Sequence, residues 1–267
     1  MYKTLKRSVH DLKLGTIKAT MKFIKNLFIT IFFFGIANEC LAQIKKDTLN
    51  VLFVGNSYNY YSNLPHLVSL ISDSTKVKLI TSKSTAGGAK LSDHWYGNKG
   101  LKSKEAIING NYDIVVLQGS SSEAVKKKEE FFKYSKKLSD LVKASGAKPY
   151  LYVPWPPKKF PQFQEKITES YQQASKESDC GLVMVGEAWK LAKTLRPDIQ
   201  LYLPDGSHPT NLGAFLTACA FVNTLSGELP KNLPDRFFIT DSDGKEVMLF
   251  RENSMNIAFC LKVIQGL

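Results

Sequence analysis

The chain has 267 residues, a net charge of +12 and 43% hydrophobic residues, an ordinary globular composition. Residues 1–42 hold seven Lys/Arg and two Asp/Glu, a net charge of +5, so the rest of the chain carries about +7. Its lysines cluster as Lys126-Lys127-Lys128, Lys136-Lys137 and Lys158-Lys159; the first two groups share a helical stretch with Glu129 and Glu130, which reads as a solvated helix face. A strip of arginines interleaved with aromatics is absent, which excludes nucleic acid as a partner.

Met21-Lys22-Phe23-Ile24-Lys25 is a short basic start, and Leu27 to Ala37 is almost unbroken apolar sequence. Cys40-Leu41-Ala42 then offers small residues for cleavage, leaving Gln43 as the mature start. The apolar run is too short for a membrane span and fits a secretory signal, with Met21 as the initiator. The rival is a lipoprotein anchored at Cys40. Asn38-Glu39 are larger and more polar than such a site takes, so cleavage and export are expected, without stable membrane insertion.

About 225 residues remain, enough for one α/β domain over 43–267. Strands are expected at Asn50–Val54, Val77–Thr81, Asp113–Leu117, Pro149–Val153 and Gly181–Val185. Several are continuous in Val, Ile and Leu, as strands buried on both faces require. Helical patterns lie between and after them at Leu64–Asp73, Ser103–Asn109, Ala124–Ser145, Phe163–Ser178, Glu187–Leu195 and Leu212–Leu225. A hairpin around Asp241-Ser242-Asp243-Gly244 and a closing helix from Asn253 complete the chain. The alternation predicts a flavodoxin-like three-layer α/β/α sandwich around a five-stranded parallel sheet. Three cysteines, Cys180, Cys219 and Cys260, are too few and odd in number for a disulfide framework, although one pair is open to them.

In such sheets ligands gather at the carboxyl ends of the strands. Asn56-Ser57 follow the first strand, Ser84-Thr85-Ala86-Gly87-Gly88 the second, Gln118-Gly119-Ser120-Ser121 the third and Pro154-Trp155-Pro156 the fourth. Late in the chain, Asp205-Gly206-Ser207-His208-Pro209 places a carboxylate three residues before an imidazole. A serine at a strand end and a late Asp-x-x-His supply a nucleophile, its base and the group that orients the base. Alone, Ser57 reads as a helix cap and the Asp-x-x-His as a turn before a helix. Together they point to a hydrolase.

These residues resemble the conserved blocks of the SGNH, or GDSL-type, hydrolases. Gly55-Asn56-Ser57 is similar to the first block, with Asn56 where aspartate is commoner. Gly87-Gly88 resembles the second, Gln118-Gly119 stands where the third has Gly-x-Asn-Asp, and Asp205-x-x-His208 resembles the fifth. Gln118-Gly119 is also similar to the Gln-Gly-Glu of carbohydrate acetylesterases in that superfamily, with Ser120 replacing the glutamate. The resemblance implies a triad of Ser57, His208 and Asp205, and an oxyanion hole of the Ser57 and Gly88 N–H groups and the Gln118 amide. It also implies a small acyl ester substrate, acetyl on a carbohydrate being the favoured case.

Asn56, His94 and Trp155 are candidate substrate-lining residues, with stacking or packing as the blander reading of the last two. Tyr58, Tyr60 and Tyr61 are open to the same pair of readings. No His/Cys/carboxylate spacing suits a metal, and Thr85-Ala86-Gly87-Gly88-Ala89 lacks the Lys-Ser/Thr of a nucleotide loop, so no cofactor is expected. Two other functions remain open: a lipid or thioester hydrolase, and a non-catalytic carbohydrate-binding or surface protein that keeps the fold.

Overall fold

The computed structural model describes residues 46–267. The expected leader, with Met21, Cys40 and the Ala42/Gln43 cleavage, lies outside the described residues. Strands β1 (Asp47–Gly55), β2 (Val77–Thr85), β3 (Ile114–Leu117), β4 (Lys148–Tyr152) and β5 (Gly181–Val183) form one sheet in the order β2-β1-β3-β4-β5. All its pairings are parallel. This is the flavodoxin order, with β1 and β3 flanking the switch point where a crevice opens.

The helices are α1 (Leu64–Ser72), α2 (Leu91–Tyr96), α3 (Ser103–Asn109), α4 (Ser121–Lys126), α5 (Lys128–Ala144), α6 (Gln164–Ser178), α7 (Val185–Leu195), α8 (Asn211–Ser226) and α9 (Ser254–Gln265). Alternate residues of β1 feed two cores, as strand geometry dictates. Val51 and Phe53 pack with Leu67, Trp189, Phe215 and Phe221 on one face. Leu52 and Val54 pack with Leu91, Ile107, Phe131 and Tyr171 on the other. Asp47–Leu267 form one compact unit.

The expected elements are present with shifted bounds: β2 runs on to Thr85 and so takes in Ser84-Thr85, while β5 ends at Val183 and Val185, expected in that strand, opens α7. The pattern at Ala124–Ser145 is two helices, because Lys127 (φ −134°, ψ 50°) breaks the chain between α4 and α5. Helix α2 was not expected, since six residues are too few for a helical period to register. Strands β6 (Arg236–Thr240) and β7 (Glu246–Arg251) form the expected hairpin, anchored where Phe250 stacks on Phe215 at 5.0 Å. Cys180, Cys219 and Cys260 are free thiols, so the disulfide left open by the sequence does not form.

Candidate active site

Ser57 stands two residues beyond Gly55, the last residue of β1, where the strand gives way to a 3-10 turn over Ser57–Asn59. Asn56 caps that turn: its Oδ1 accepts the Tyr58 N–H at 3.1 Å. The turn is tight enough to demand glycine before it. A Cβ on Gly55 would lie 2.0 Å from Asn59 Nδ2 and 2.6 Å from Gln118 Oε1. The result is a half-exposed serine above a fully buried floor.

The loop before α8 brings its partners over the sheet edge. Leu203 N–H donates to His208 O at 2.8 Å and Thr210 N–H to Leu201 O at 2.9 Å, closing the loop as a small hairpin. Within it, Asp205 Oδ1 accepts the N–H groups of Ser207 and His208 at 2.8 and 2.9 Å. Its other oxygen lies 2.6 Å from His208 Nδ1. His208 Nε2 lies 2.9 Å from Ser57 Oγ. The histidine contact and the two backbone N–H groups hold the Asp205 carboxyl down to about 2, so it is ionised at any working pH.

Two aromatics fix Ser207, the residue before the histidine. Trp155 Nε1–H donates to Ser207 O at 2.9 Å, and the Tyr58 hydroxyl meets Ser207 Oγ at 2.8 Å. Tyr58 and Trp155 stack at 4.6 Å, and Trp155 stacks in turn on Trp189 at 3.7 Å. The column Tyr58–Trp155–Trp189 thus props the histidine loop from below. Tyr61 lies over His208 from the open side, ring centroids 4.0 Å apart and planes 18° from parallel.

Several sequence expectations are corrected by these positions. Trp155 does not line the cleft; it is fully buried as the prop of the loop. Asn56 is 5% exposed and spent on the cap, with Nδ2 donating to Ala89 O at 3.4 Å. His94 is fully buried behind the nucleophile turn. Its Nε2 bonds Gly55 O at 3.2 Å and its Nδ1 meets Ser103 Oγ at 2.6 Å. A carbonyl can only accept, so Nε2 carries the proton, Nδ1 accepts from Ser103, and Ser103 accepts from Ser84 at 2.8 Å. Burial pushes the His94 imidazole down to about 4, so it is neutral.

Gln118 is also not where an oxyanion donor must be. It is fully buried, and its Nε2 donates to Gly119 O at 2.8 Å. Its Oε1 accepts Asn56 N–H at 3.0 Å and Asn59 Nδ2 at 2.9 Å. Flipping the amide would set donor against two donors, so this orientation is fixed. Gln118 braces the turn that carries Ser57. Gly88 is exposed three residues past β2, at φ +59°, a backbone conformation that favours glycine. Lys99 Nζ holds its loop through Gly87 O at 2.7 Å. Sequence reasoning missed Lys99 and Ser103, which carry no local pattern, and it placed Ser84 at the sheet edge without its contact to Ser103.

No family model and no curated protein matches the chain. Solved structures do. A protein from Slackia heliotrinireducens described as a candidate SGNH hydrolase is 24% identical, with a TM-score of 0.56 over 67% of this chain and 100% of that one. A DUF4886 family protein from Bacteroides uniformis is 15% identical, with a TM-score of 0.62 over 82% of this chain and 94% of the other. An acetyl xylan esterase is 14% identical, with a TM-score of 0.52 over 66% of this chain and all of its own. The fold is therefore that of the SGNH hydrolases.

Proposed function

We propose that the protein is an exported serine esterase that removes a small acyl group, acetyl above all, from a carbohydrate or other small ester. The observation that carries the hydrolytic reading is the continuous chain of contacts from Asp205 through His208 to Ser57. A binding protein that merely kept the fold has no need to hold that chain. The acetyl and carbohydrate parts draw on the likeness of Gln118-Gly119 to carbohydrate acetylesterases and on the fold shared with an acetyl xylan esterase. Export draws on the leader-like sequence of residues 21–42.

In the proposed reaction, Ser57 Oγ attacks the ester carbonyl carbon while His208 Nε2 takes its proton. Asp205 orients the ring and stabilises the imidazolium. The tetrahedral oxyanion is received by the N–H groups of Ser57 and Gly88, neither of which has a backbone acceptor among the described residues. His208 then protonates the leaving alkoxide, giving free alcohol and acyl-Ser57. Water, losing a proton to His208, attacks that acyl group, and as the acid leaves His208 returns the proton to Ser57 Oγ, which restores both residues.

The test is hydrolysis of p-nitrophenyl acetate and of acetylated xylan by the wild type and Ser57→Ala. Turnover that needs Ser57 is the expected result. Equal rates in both proteins would overturn the serine mechanism, and activity on long-chain esters alone would replace acetyl with lipid.

A further inference from the structure

His208 must present Nε2 to Ser57, take a proton and give it back, yet it sits half-exposed on a loop. Asp205 fixes the ring along one edge. Nothing in that contact stops the ring from rocking about the Asp205–Nδ1 axis. Tyr58 meets it edge-on at 5.8 Å, and Tyr61 covers its face at 4.0 Å.

The backbone goes out of its way to place Tyr61 there. The next two residues, Ser62 and Asn63, both have φ 51°, a left-handed conformation uncommon for residues with a Cβ. Two such residues in succession turn the chain sharply between Tyr61 and α1. Ser62 Oγ donates to Asn211 Oδ1 at 3.0 Å, the first residue of α8 and three positions past His208. Ring and tether thus both reach the segment that carries the base. Tyr61 itself is half-exposed and outside both hydrophobic cores, so core packing does not account for the turn.

We propose that Tyr61 is a positioning residue for His208, holding the imidazole plane and stabilising the imidazolium that forms during acyl transfer. The inference rests on the esterase reading. An electron-rich ring face attracts a cation more than a neutral ring, so the stack strengthens as His208 gains its proton. An interaction stronger in the transition state than in the ground state raises kcat and leaves KM alone. The phenol hydroxyl has no part in this.

The experiment is steady-state kinetics on p-nitrophenyl acetate for Tyr61→Phe, Tyr61→Leu and Ser62→Ala, with proton NMR of the histidine ring signals. Tyr61→Phe should stay within about threefold of wild type, and Tyr61→Leu should lose kcat by about tenfold with KM little changed. Ser62→Ala, which cuts the tether and leaves the ring, should show part of that loss. Ring-current shielding should move the His208 ring protons upfield in wild type and Tyr61→Phe, and not in Tyr61→Leu. An active wild type with an equally active Tyr61→Leu would overturn the inference alone, as would a KM effect without a kcat effect. A wild type inactive on every ester tried would remove the esterase reading and this inference with it.

Discussion

Ser57 and His208 stand 151 positions apart in sequence, and the fold sets Oγ and Nε2 2.9 Å from one another. Because the two act as one unit, their losses should not add. Ser57→Ala or His208→Ala should each lower kcat by about 10⁴-fold or more, and the double variant should be hardly worse. Rates on p-nitrophenyl acetate check this. Losses that multiply in the double variant would mean that the two side chains serve separate steps.

Gln118 offers a test between brace and oxyanion donor. As a brace, it satisfies the Asn56 N–H and the Asn59 amide in a buried site. Gln118→Ala should then destabilise the protein by about 2 to 4 kcal/mol, through two stranded donors and a cavity. Urea unfolding reads this directly. A donor to the oxyanion would instead cost about 10²-fold in kcat with stability unchanged.

Much of this site was legible because its parts are tied to topology. A buried strand such as Val51–Val54 announces itself in four apolar residues, and the residues just past its end must sit at the sheet edge. That reasoning puts Ser57 and Gly88 at the edge, and the Asp205-x-x-His208 spacing pairs a carboxylate with an imidazole on one loop. The residues that were misread are those whose role depends on which way a side chain turns. Gln118, Asn56, His94 and Trp155 all lie past strands or the glycine loop, where polar and aromatic residues can face the cleft or support it from beneath. The sequence carries no sign of that choice. It is decided by close approaches such as that of Asn59 to Gly55, which arise only once distant segments are packed.

The acid limb of the pH–rate profile should have a single owner. Asp205 is held down to about 2 and is ionised throughout, while His94 is held at about 4 and is neutral above it. Neither group changes charge between about pH 5 and 8, so neither competes with the general base of the proposed reaction there. The logarithm of kcat/KM should therefore fall no more steeply than about tenfold per pH unit on the acid side. His94→Gln should leave the limb where it is. A slope of two, or a limb that vanishes in His94→Gln, would show that a second group controls the nucleophile.

His94 should instead reveal itself in stability. Its folded value, about 4, lies below the usual 6.5. The unfolded chain therefore binds a proton first as pH falls. No penalty exists above about 6.5; below it the folded state loses stability with each unit, until His94 itself is protonated near 4. The window spans two to three units, worth about 3 kcal/mol at 1.4 kcal/mol per unit. Urea midpoints at pH 7 and pH 4.5 should differ more for wild type than for His94→Gln. Glutamine has an N–H that can still reach Gly55 O and has nothing to titrate. If both proteins lost stability equally over that range, carboxylates elsewhere would account for it. The buried His94–Ser103–Ser84 chain would then have no part in the acid sensitivity of the nucleophile turn.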